Sequence, residues 1–295
     1  MSKVQTLLAG SAPIMADGAM GTMLFEAGLP SGDAPQSWNL LHPDSVRAVH
    51  RAYLEAGSQI LLSNTFGGNC YRLSRHNLED RIAEVNRAGA ELLRAEVEAS
   101  GGRALVAGDI GPTGELFAPL GKLTFADAMA AFAEQAAGLI AGGVDLIWIE
   151  TMSDLKEIHA AVEGVRRMSA EIPLMVTMTF ERHGRTMMGV SAQQAAESLT
   201  GWGVCAFGGN CGTGPEELLP VLRSLHACAP DIPLIFKPNA GMPELIDGRT
   251  VYNATPESMG AVAPAAVAAG ARILGGCCGS APAHLQSMAR ALRAG

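Results

Sequence analysis

The sequence predicts an α/β protein folded as one (β/α)8 barrel spanning residues 1–295. Three observations carry this. Short runs rich in Val, Ile and Leu alternate with longer helical patterns, eight times in succession. The runs are continuous rather than alternating, as strands covered on both faces must be. A polar or sulfur-bearing residue follows every run: Asp17, Asn64, Asp109, Glu150, Thr179, Cys211, Asn239 and Cys277-Cys278. In a barrel those positions line one mouth, the end where this fold builds active sites. An open, doubly wound sheet is the alternative that the same alternation allows.

The elements follow in order. Pro13 to Ala16 is the first strand and opens into Asp17-Gly18-Ala19-Met20-Gly21-Thr22. A helix runs from Ser45 to Ala56 behind Pro43. Gln59 to Leu62 is the second strand, ending at Ser63-Asn64-Thr65-Phe66-Gly67-Gly68-Asn69, with a long helix from Leu78 to Ala99. The third, Ala104 to Ala107, ends at Gly108-Asp109-Ile110-Gly111-Pro112-Thr113-Gly114. Thr124 caps the next helix, with Asp127 three residues on. The fourth strand, Leu146 to Ile149, ends at Glu150-Thr151, and its helix runs from after Ser153 to Met168. The fifth, Leu174 to Met178, ends at Thr179-Phe180, ahead of a helix from Ala192 to Leu199. The sixth, Val204 to Phe207, leads to Gly208-Gly209-Asn210-Cys211-Gly212. Gly214-Pro215-Glu216-Glu217 then opens a helix, with proline in the first turn and acids at the positive end of the helix dipole. The seventh strand, Leu234 to Phe236, ends at Lys237-Pro238-Asn239-Ala240-Gly241, and a helix covers Pro256 to Ala269. The eighth, Arg272 to Leu274, ends at Gly275-Gly276-Cys277-Cys278-Gly279, and Ala281-Pro282-Ala283 starts the closing helix.

Composition narrows the function. The chain is 48% hydrophobic and 17% charged, and barrels of this length commonly form one domain. A net charge of -8 and a pI near 5.4 leave no basic excess for nucleic acid. No apolar run approaches the ~20 residues that span a bilayer, so no membrane partner is expected. Met1 to Leu8 lacks a signal peptide's apolar core and cleavage site. Six cysteines in such a chain are expected to be reduced thiols in the cytoplasm. Cys70, Cys205 and Cys228 read as small buried hydrophobes.

Cys211, Cys277 and Cys278 are different. Neighbours on a regular strand point to opposite faces, so Cys277 and Cys278 can serve one ligand only where the backbone turns. Gly276 and Gly279 permit that turn. The sixth and eighth strands flank the seventh in a barrel, which brings Cys211 near the pair. Three protein thiolates with one open position are the arrangement of a catalytic zinc site. Asn239 is placed to approach the fourth position, or to tie down its own turn. Zn2+ with three thiolates is a poor source of hydroxide. It holds a fourth thiol well and lowers its pKa from the ~8.5 of free cysteine. Such a site suits attack by a substrate sulfur on an electrophilic carbon. Asp17 and Glu150 are acids in apolar or glycine-rich settings, where an unpaired carboxylate is costly. They suit a substrate ammonium; alternatively, Asp17 caps a turn and Glu150 pairs with a barrel Lys or Arg. The backbone of Gly18-Ala19-Met20-Gly21 offers N–H groups to a carboxylate.

The motifs together resemble the homocysteine S-methyltransferase family over nearly the whole chain. They are Asp17-Gly18-Ala19-Met20-Gly21-Thr22, Asn64-Thr65-Phe66-Gly67, Gly111-Pro112-Thr113-Gly114, Trp148-Ile149-Glu150-Thr151, Gly209-Asn210-Cys211-Gly212, Pro238-Asn239-Ala240-Gly241 and Gly275-Gly276-Cys277-Cys278-Gly279. The resemblance is to two branches: bacterial stand-alone betaine–homocysteine methyltransferase-like proteins, and the homocysteine-binding module of cobalamin-dependent methionine synthase. It implies a (β/α)8 barrel, zinc on Cys211, Cys277 and Cys278, and homocysteine sulfur as a further ligand. It implies that Asp17 and Glu150 hold the amino group and the backbone at Gly18 and Ala19 the carboxylate. Methionine is the product, and no side chain is expected to act as general acid or base. The donor implied is a small molecule such as glycine betaine, with Trp38 and Asn64 as candidate donor-site residues. A Trp face can hold a quaternary ammonium. The alternative is a separate corrinoid protein carrying methylcobalamin. Gly67, where animal betaine enzymes have tyrosine, and the Pro238-Asn239-Ala240-Gly241 turn resemble that cobalamin-dependent branch. The chain's end at Gly295 is read as leaving no room for folate or cobalamin modules. A non-enzymatic zinc- or thiol-binding barrel is the remaining reading.

Overall fold

A computed structural model describes residues 2–246 and 249–294. Its strands are β1 (Ile14–Met15), β2 (Ile60–Leu62), β3 (Leu105–Ile110), β4 (Leu146–Met152), β5 (Leu174–Met178), β6 (Ala206–Cys211), β7 (Leu234–Pro238), β8 (Pro243–Ile246), β9 (Arg249–Tyr252) and β10 (Ala271–Leu274). Eight of them form one parallel sheet in the order β1-β10-β7-β6-β5-β4-β3-β2. A parallel bridge between Ala16 and Ile60 joins its two ends, so the sheet closes into a barrel. β8 and β9 form an antiparallel hairpin between β7 and the following helix.

Strand parity divides the apolar residues into two cores. Ile14, Ile60, Leu105, Leu146, Met175 and Ile235 are among those that fill the barrel interior. Their strand neighbours pack outward against the helices. The helix Pro43–Glu55 shows the second pattern: Val46, Val49, His50 and Tyr53 are buried at helical spacing.

The strands run further than the apolar runs suggested. β3 continues through Asp109 to Ile110, and β6 through Asn210 to Cys211. The ladder holds there, with Asp109 opposite Trp148 and Cys211 opposite Pro238. Asp109, Glu150, Asn210 and Cys211 therefore stand on strands, where the sheet fixes their direction. The helix expected from Leu78 begins at Ile82, after a 3-10 turn over Glu79–Arg81.

Besides the short helices Met20–Glu26, Trp38–Leu41 and Cys70–Leu73 in the first two connections, two elements were not expected. One is the β8–β9 hairpin, whose four-residue strands are too short for a period-2 pattern to stand out. The other is a helix over Lys3–Ala9, capped by reciprocal bonds between Ser2 and Gln5. Seven residues are too few to show a helical period. Val4, 1% exposed, joins the interior core with Leu7 and Leu8 alongside. This helix plugs the N-terminal end of the barrel. Among the described residues no helix is long and apolar enough to cross a membrane.

Candidate metal centre and acceptor site

The three predicted cysteines meet at the C-terminal mouth. Their sulfurs all lie within 4.8 Å of one another, with Cys211 Sγ 2.7 Å from Cys277 Sγ. Backbone geometry makes this convergence. Cys211 has φ of 57°, in the left-handed region that a non-glycine residue enters only at a cost. Gly279, at φ 77°, turns the chain after Cys278. The cysteine loop is stitched down on both sides: Gly276 N donates to Asp17 O at 3.0 Å and Cys277 N to Pro238 O at 2.8 Å.

Two residues outside the predicted set touch the sulfurs. Asn210 Nδ2 lies 3.6 Å from both Cys211 Sγ and Cys277 Sγ, and its amide is locked by Thr151 at 2.7 and 2.9 Å. The Tyr252 hydroxyl, at the end of β9, lies beside the Cys278 sulfur. Its ring fills the space over Gly279, where any Cβ would collide with it. Asn210 sits inside the Gly209-Asn210-Cys211-Gly212 motif, so its position was a usable signal. Tyr252 had none, because its hairpin was not foreseen.

The donor set fits a zinc ion. Tetrahedral zinc with sulfur bonds of ~2.3 Å needs sulfurs ~3.8 Å apart; all three lie within 4.8 Å of one another, and Cys211 and Cys277, at 2.7 Å, would part to admit the ion. Hydrogen bonds from Cys211 and then Cys277 hold the Cys278 thiol down to about 3. The same contacts, with Cys277 and then Cys278, push Cys211 well above its ordinary value. Three thiols this crowded repel one another once charged, so ionising all three requires a cation between them. Asn239 donates from Nδ2 to Gly212 O at 2.9 Å, tying the seventh loop to the sixth. Its Oδ1 is buried and without a hydrogen-bond partner among the described residues.

Beside the sulfurs lies a buried charge cluster. Lys237, 2% exposed, points into the barrel mouth from β7. Its Nζ is 2.9 Å from Asp17 Oδ1 and 3.9 Å from Glu150 Oε2, and it lies 5.3 Å from the Trp148 ring centroid. Asp17 Oδ2 also accepts the Leu62 N–H at 2.7 Å. Burial would lower Lys237, but the charges of Asp17 and then Glu150 outweigh it and hold the ammonium above its ordinary value. Burial pushes Glu150 up to about 8 against the pull of Lys237. Asp109 is pushed well up by burial and then by Glu150. Glu150 thus has the lysine partner that was its alternative reading, and Asp17 shares that partner.

The remaining predicted residues are placed as follows. Ala19 N donates to Ser280 O at 3.2 Å, and the buried Tyr53 hydroxyl bridges the carbonyls of Ala19 and Ser280. Gly18 packs so closely on Tyr53 and Ser280 that no side chain fits there. Trp38 is 6% exposed, packs in the outer core and lies 4.5 Å from the His42 ring. Asn64 donates to Pro35 O at 2.7 Å and Asn39 Oδ1 at 2.9 Å. Both are thus built into the packing of the segment after β1. Cys70, Cys205 and Cys228 lie apart from the cluster as free thiols, but not as the buried hydrophobes expected: Cys70 and Cys205 are half-buried, and Cys228, at the end of its helix, is exposed.

Comparison with known proteins identifies a family. A family profile described as homocysteine S-methyltransferase matches residues 14–292. Methionine synthases of Mycobacterium tuberculosis and Mycobacterium leprae are 34% and 33% identical over 293 residues, 95% of this chain. The chain spans about a quarter of these curated relatives, 24% of each. The metallated form of the Escherichia coli homocysteine methyltransferase MmuM superposes with a TM-score of 0.83 at 25% identity, covering 97% of this chain and 99% of that one. Its apo form gives a TM-score of 0.78 at 25% identity, with 98% and 99% covered. With the barrel, the cysteine cluster and the matched span in agreement, this chain belongs to the homocysteine S-methyltransferase family.

Proposed function

We propose that the chain methylates the sulfur of homocysteine to form methionine, with Zn2+ held by Cys211, Cys277 and Cys278. The observation that supports this best is three converging thiols beside a buried acid cluster at one barrel mouth. Zinc, when bound there, would supply the positive charge that keeps an incoming thiol ionised near neutral pH. The chain's own residues do the rest. Asn210 and Tyr252 direct donors at the sulfurs and fix their positions. The acids of the mouth take the acceptor's ammonium, and the backbone N–H of Gly18 takes its carboxylate, that of Ala19 being bonded to Ser280 O. As the thiolate attacks, the sulfur–carbon bond forms and the donor keeps the electron pair of its broken bond to methyl. No proton moves in that step, so no general acid or base is required.

The first donor reading is a small methylated molecule such as glycine betaine. A second reading, a separate methylated corrinoid protein, is favoured by the surface. Ten large apolar side chains are exposed among the described residues, and six of them, Leu116, Leu120, Met187, Met188, Met242 and Leu245, lie in the segments that directly follow the C-terminal ends of β3, β5 and β7. An apolar rim of this kind suits a macromolecular donor. The 34% identity to methionine synthases supports the same reading.

Methionine formation by the purified, reduced, zinc-loaded protein is the test. Homocysteine would be offered with glycine betaine, dimethylsulfoniopropionate, S-methylmethionine or methylcobalamin. Turnover with one small donor establishes the first reading. Homocysteine binding without turnover on any of them points to the corrinoid protein. Zinc binding without homocysteine binding would leave only a non-enzymatic zinc- or thiol-binding barrel.

A further inference from the structure

The β8–β9 hairpin stands at the mouth without being part of the barrel sheet. Its base is fixed to the cysteine loop. Ala240 N donates to Cys278 O and Ala254 N to Ala240 O, both at 2.9 Å, and the His284 ring meets Ala254 O at 3.0 Å. Asn253 closes the base, donating to Glu244 Oε1 at 2.6 Å and packing against Gly241, which has φ of 85°. Beyond the base the backbone of β8 and β9, among the described residues, is bonded only within the pair. A two-stranded ribbon by itself is marginal in water, so one of its faces needs cover.

The register shows which face that is. It pairs Pro243 with Tyr252, Glu244 with Val251 and Leu245 with Thr250. Paired residues share a face and strand neighbours alternate. Leu245, Thr250 and Tyr252 therefore lie on one face, and Glu244 and Val251 on the other. The Tyr252 ring packs over Gly279 with its hydroxyl beside Cys278, so its face looks at the sulfurs. Leu245 stands on that face one paired step further out, about 7 Å along the strand. It is 78% exposed, and Thr250 beside it is exposed as well. An exposed leucine on the sulfur-facing side of an otherwise unheld ribbon leaves room for an apolar group between hairpin and mouth.

We propose that this face covers the bound acceptor, with Leu245 packing on the methylene carbons between homocysteine's thiol and its α-carbon. This rests on reading the mouth as a homocysteine site and adds the residue that reads the length of the thiol's carbon chain. The sulfur is held at the cysteines, next to Tyr252, and the carbons that follow it fall under the next apolar residue out. Leu245 is a specificity-determining residue: cysteine, one methylene shorter, leaves part of it in water. Covering the chain also keeps water off the thiolate. The hairpin follows β7, and β3 lies four strands away in the eight-stranded order, so the wall above β3 stays open to the donor. With the acceptor bound, Leu245 leaves the apolar rim and the other exposed side chains of that rim remain.

Calorimetric titration of the reduced, zinc-loaded protein with homocysteine and with cysteine tests this in wild type, Leu245→Ala and Val251→Ala. Hydrogen exchange in β8 and β9 follows the hairpin in the same samples. Wild type should prefer homocysteine by about tenfold or more, the scale of one methylene. Leu245→Ala should weaken homocysteine by about tenfold and cysteine by less. Val251→Ala, on the outer face of the same ribbon, should leave both affinities as in wild type. Homocysteine should slow exchange in β8 and β9 of wild type, and slow it less in Leu245→Ala. Homocysteine affinity unchanged in Leu245→Ala, or weakened as much in Val251→Ala, would overturn the proposal. Equal affinities for the two thiols in wild type would overturn it too, as would unslowed exchange in β8 and β9 where calorimetry shows homocysteine bound. Absence of homocysteine binding to the zinc-loaded wild type would remove the homocysteine reading itself, and this proposal with it.

Discussion

The two ends of the barrel are built from the same strands and follow opposite rules. At the N-terminal end the interior is apolar, and Val4 seals it from below. At the C-terminal end the same strands present Asp109 two residues after Ala107, Glu150 two after Trp148 and Lys237 two after Ile235. One step of strand parity thus takes the interior from oil to charge. The lower end gains stability from burial and asks nothing of geometry beyond packing. The upper end holds crowded thiols, a left-handed Cys211 and buried carboxylate oxygens without donors. Each of these costs stability, and the barrel below carries that cost. The comparison is sharp enough to break by mutation.

Cys277→Ala should have the largest effect on function and little on the fold. Zinc stoichiometry and methionine formation should both fall to background while the circular dichroism spectrum is kept, since the metal serves the mouth and not the barrel. Zinc retained at the wild-type ratio with normal turnover would sink the assignment.

Lys237→Met comes next and acts on stability. It leaves Asp17 buried without its partner, and breaking a buried pair in this way costs about 3–5 kcal/mol. Urea denaturation of the variant measures it. The double variant Asp17→Asn with Lys237→Met should recover part of the loss, because no uncompensated charge remains. A single variant as stable as wild type would mean that the pair is not worth its geometry.

Much of this contrast was legible before the structure. The eight apolar runs, the polar residue after each, Cys211 and the Cys277-Cys278 pair all lie in local pattern, which composition and spacing expose. Partnership was not legible. Asp17 and Lys237 are 220 residues apart, and in a strand without alternation nothing marks Lys237 as the inward residue. The same holds for Trp38, whose burial against His42 depends on how a long loop folds back. Short elements were lost as well. Tyr252 reaches Cys278 only because a four-residue strand turns it inward, and four residues carry too little period to be seen.

Tyr252→Phe refines the upper half of the comparison. The ring that packs over Gly279 stays, and only the hydroxyl beside Cys278 is removed. Loss of a group that orients a metal ligand weakens metal affinity by about tenfold or more. Competition against a zinc chelator would read this, with thermal stability of the metal-free protein unchanged. Equal zinc affinity in the two proteins would make Tyr252 a packing residue alone.

Val4→Ala is the smallest change and tests the lower half. Val4 is fully covered and lies at the opposite end of the barrel from the sulfurs. Trimming it removes two methyl groups from the plug, worth about 1–2 kcal/mol of stability. The melting temperature should fall while zinc affinity and homocysteine affinity stay at wild type. The logic is that a close-packed barrel separates the two ends: a loss at the plug changes how long the barrel lasts, not where the sulfurs point. A fall in zinc affinity that tracks the fall in stability would mean that the layers between Val4 and Cys277 transmit strain, and the two ends would then have to be treated as one cooperative unit.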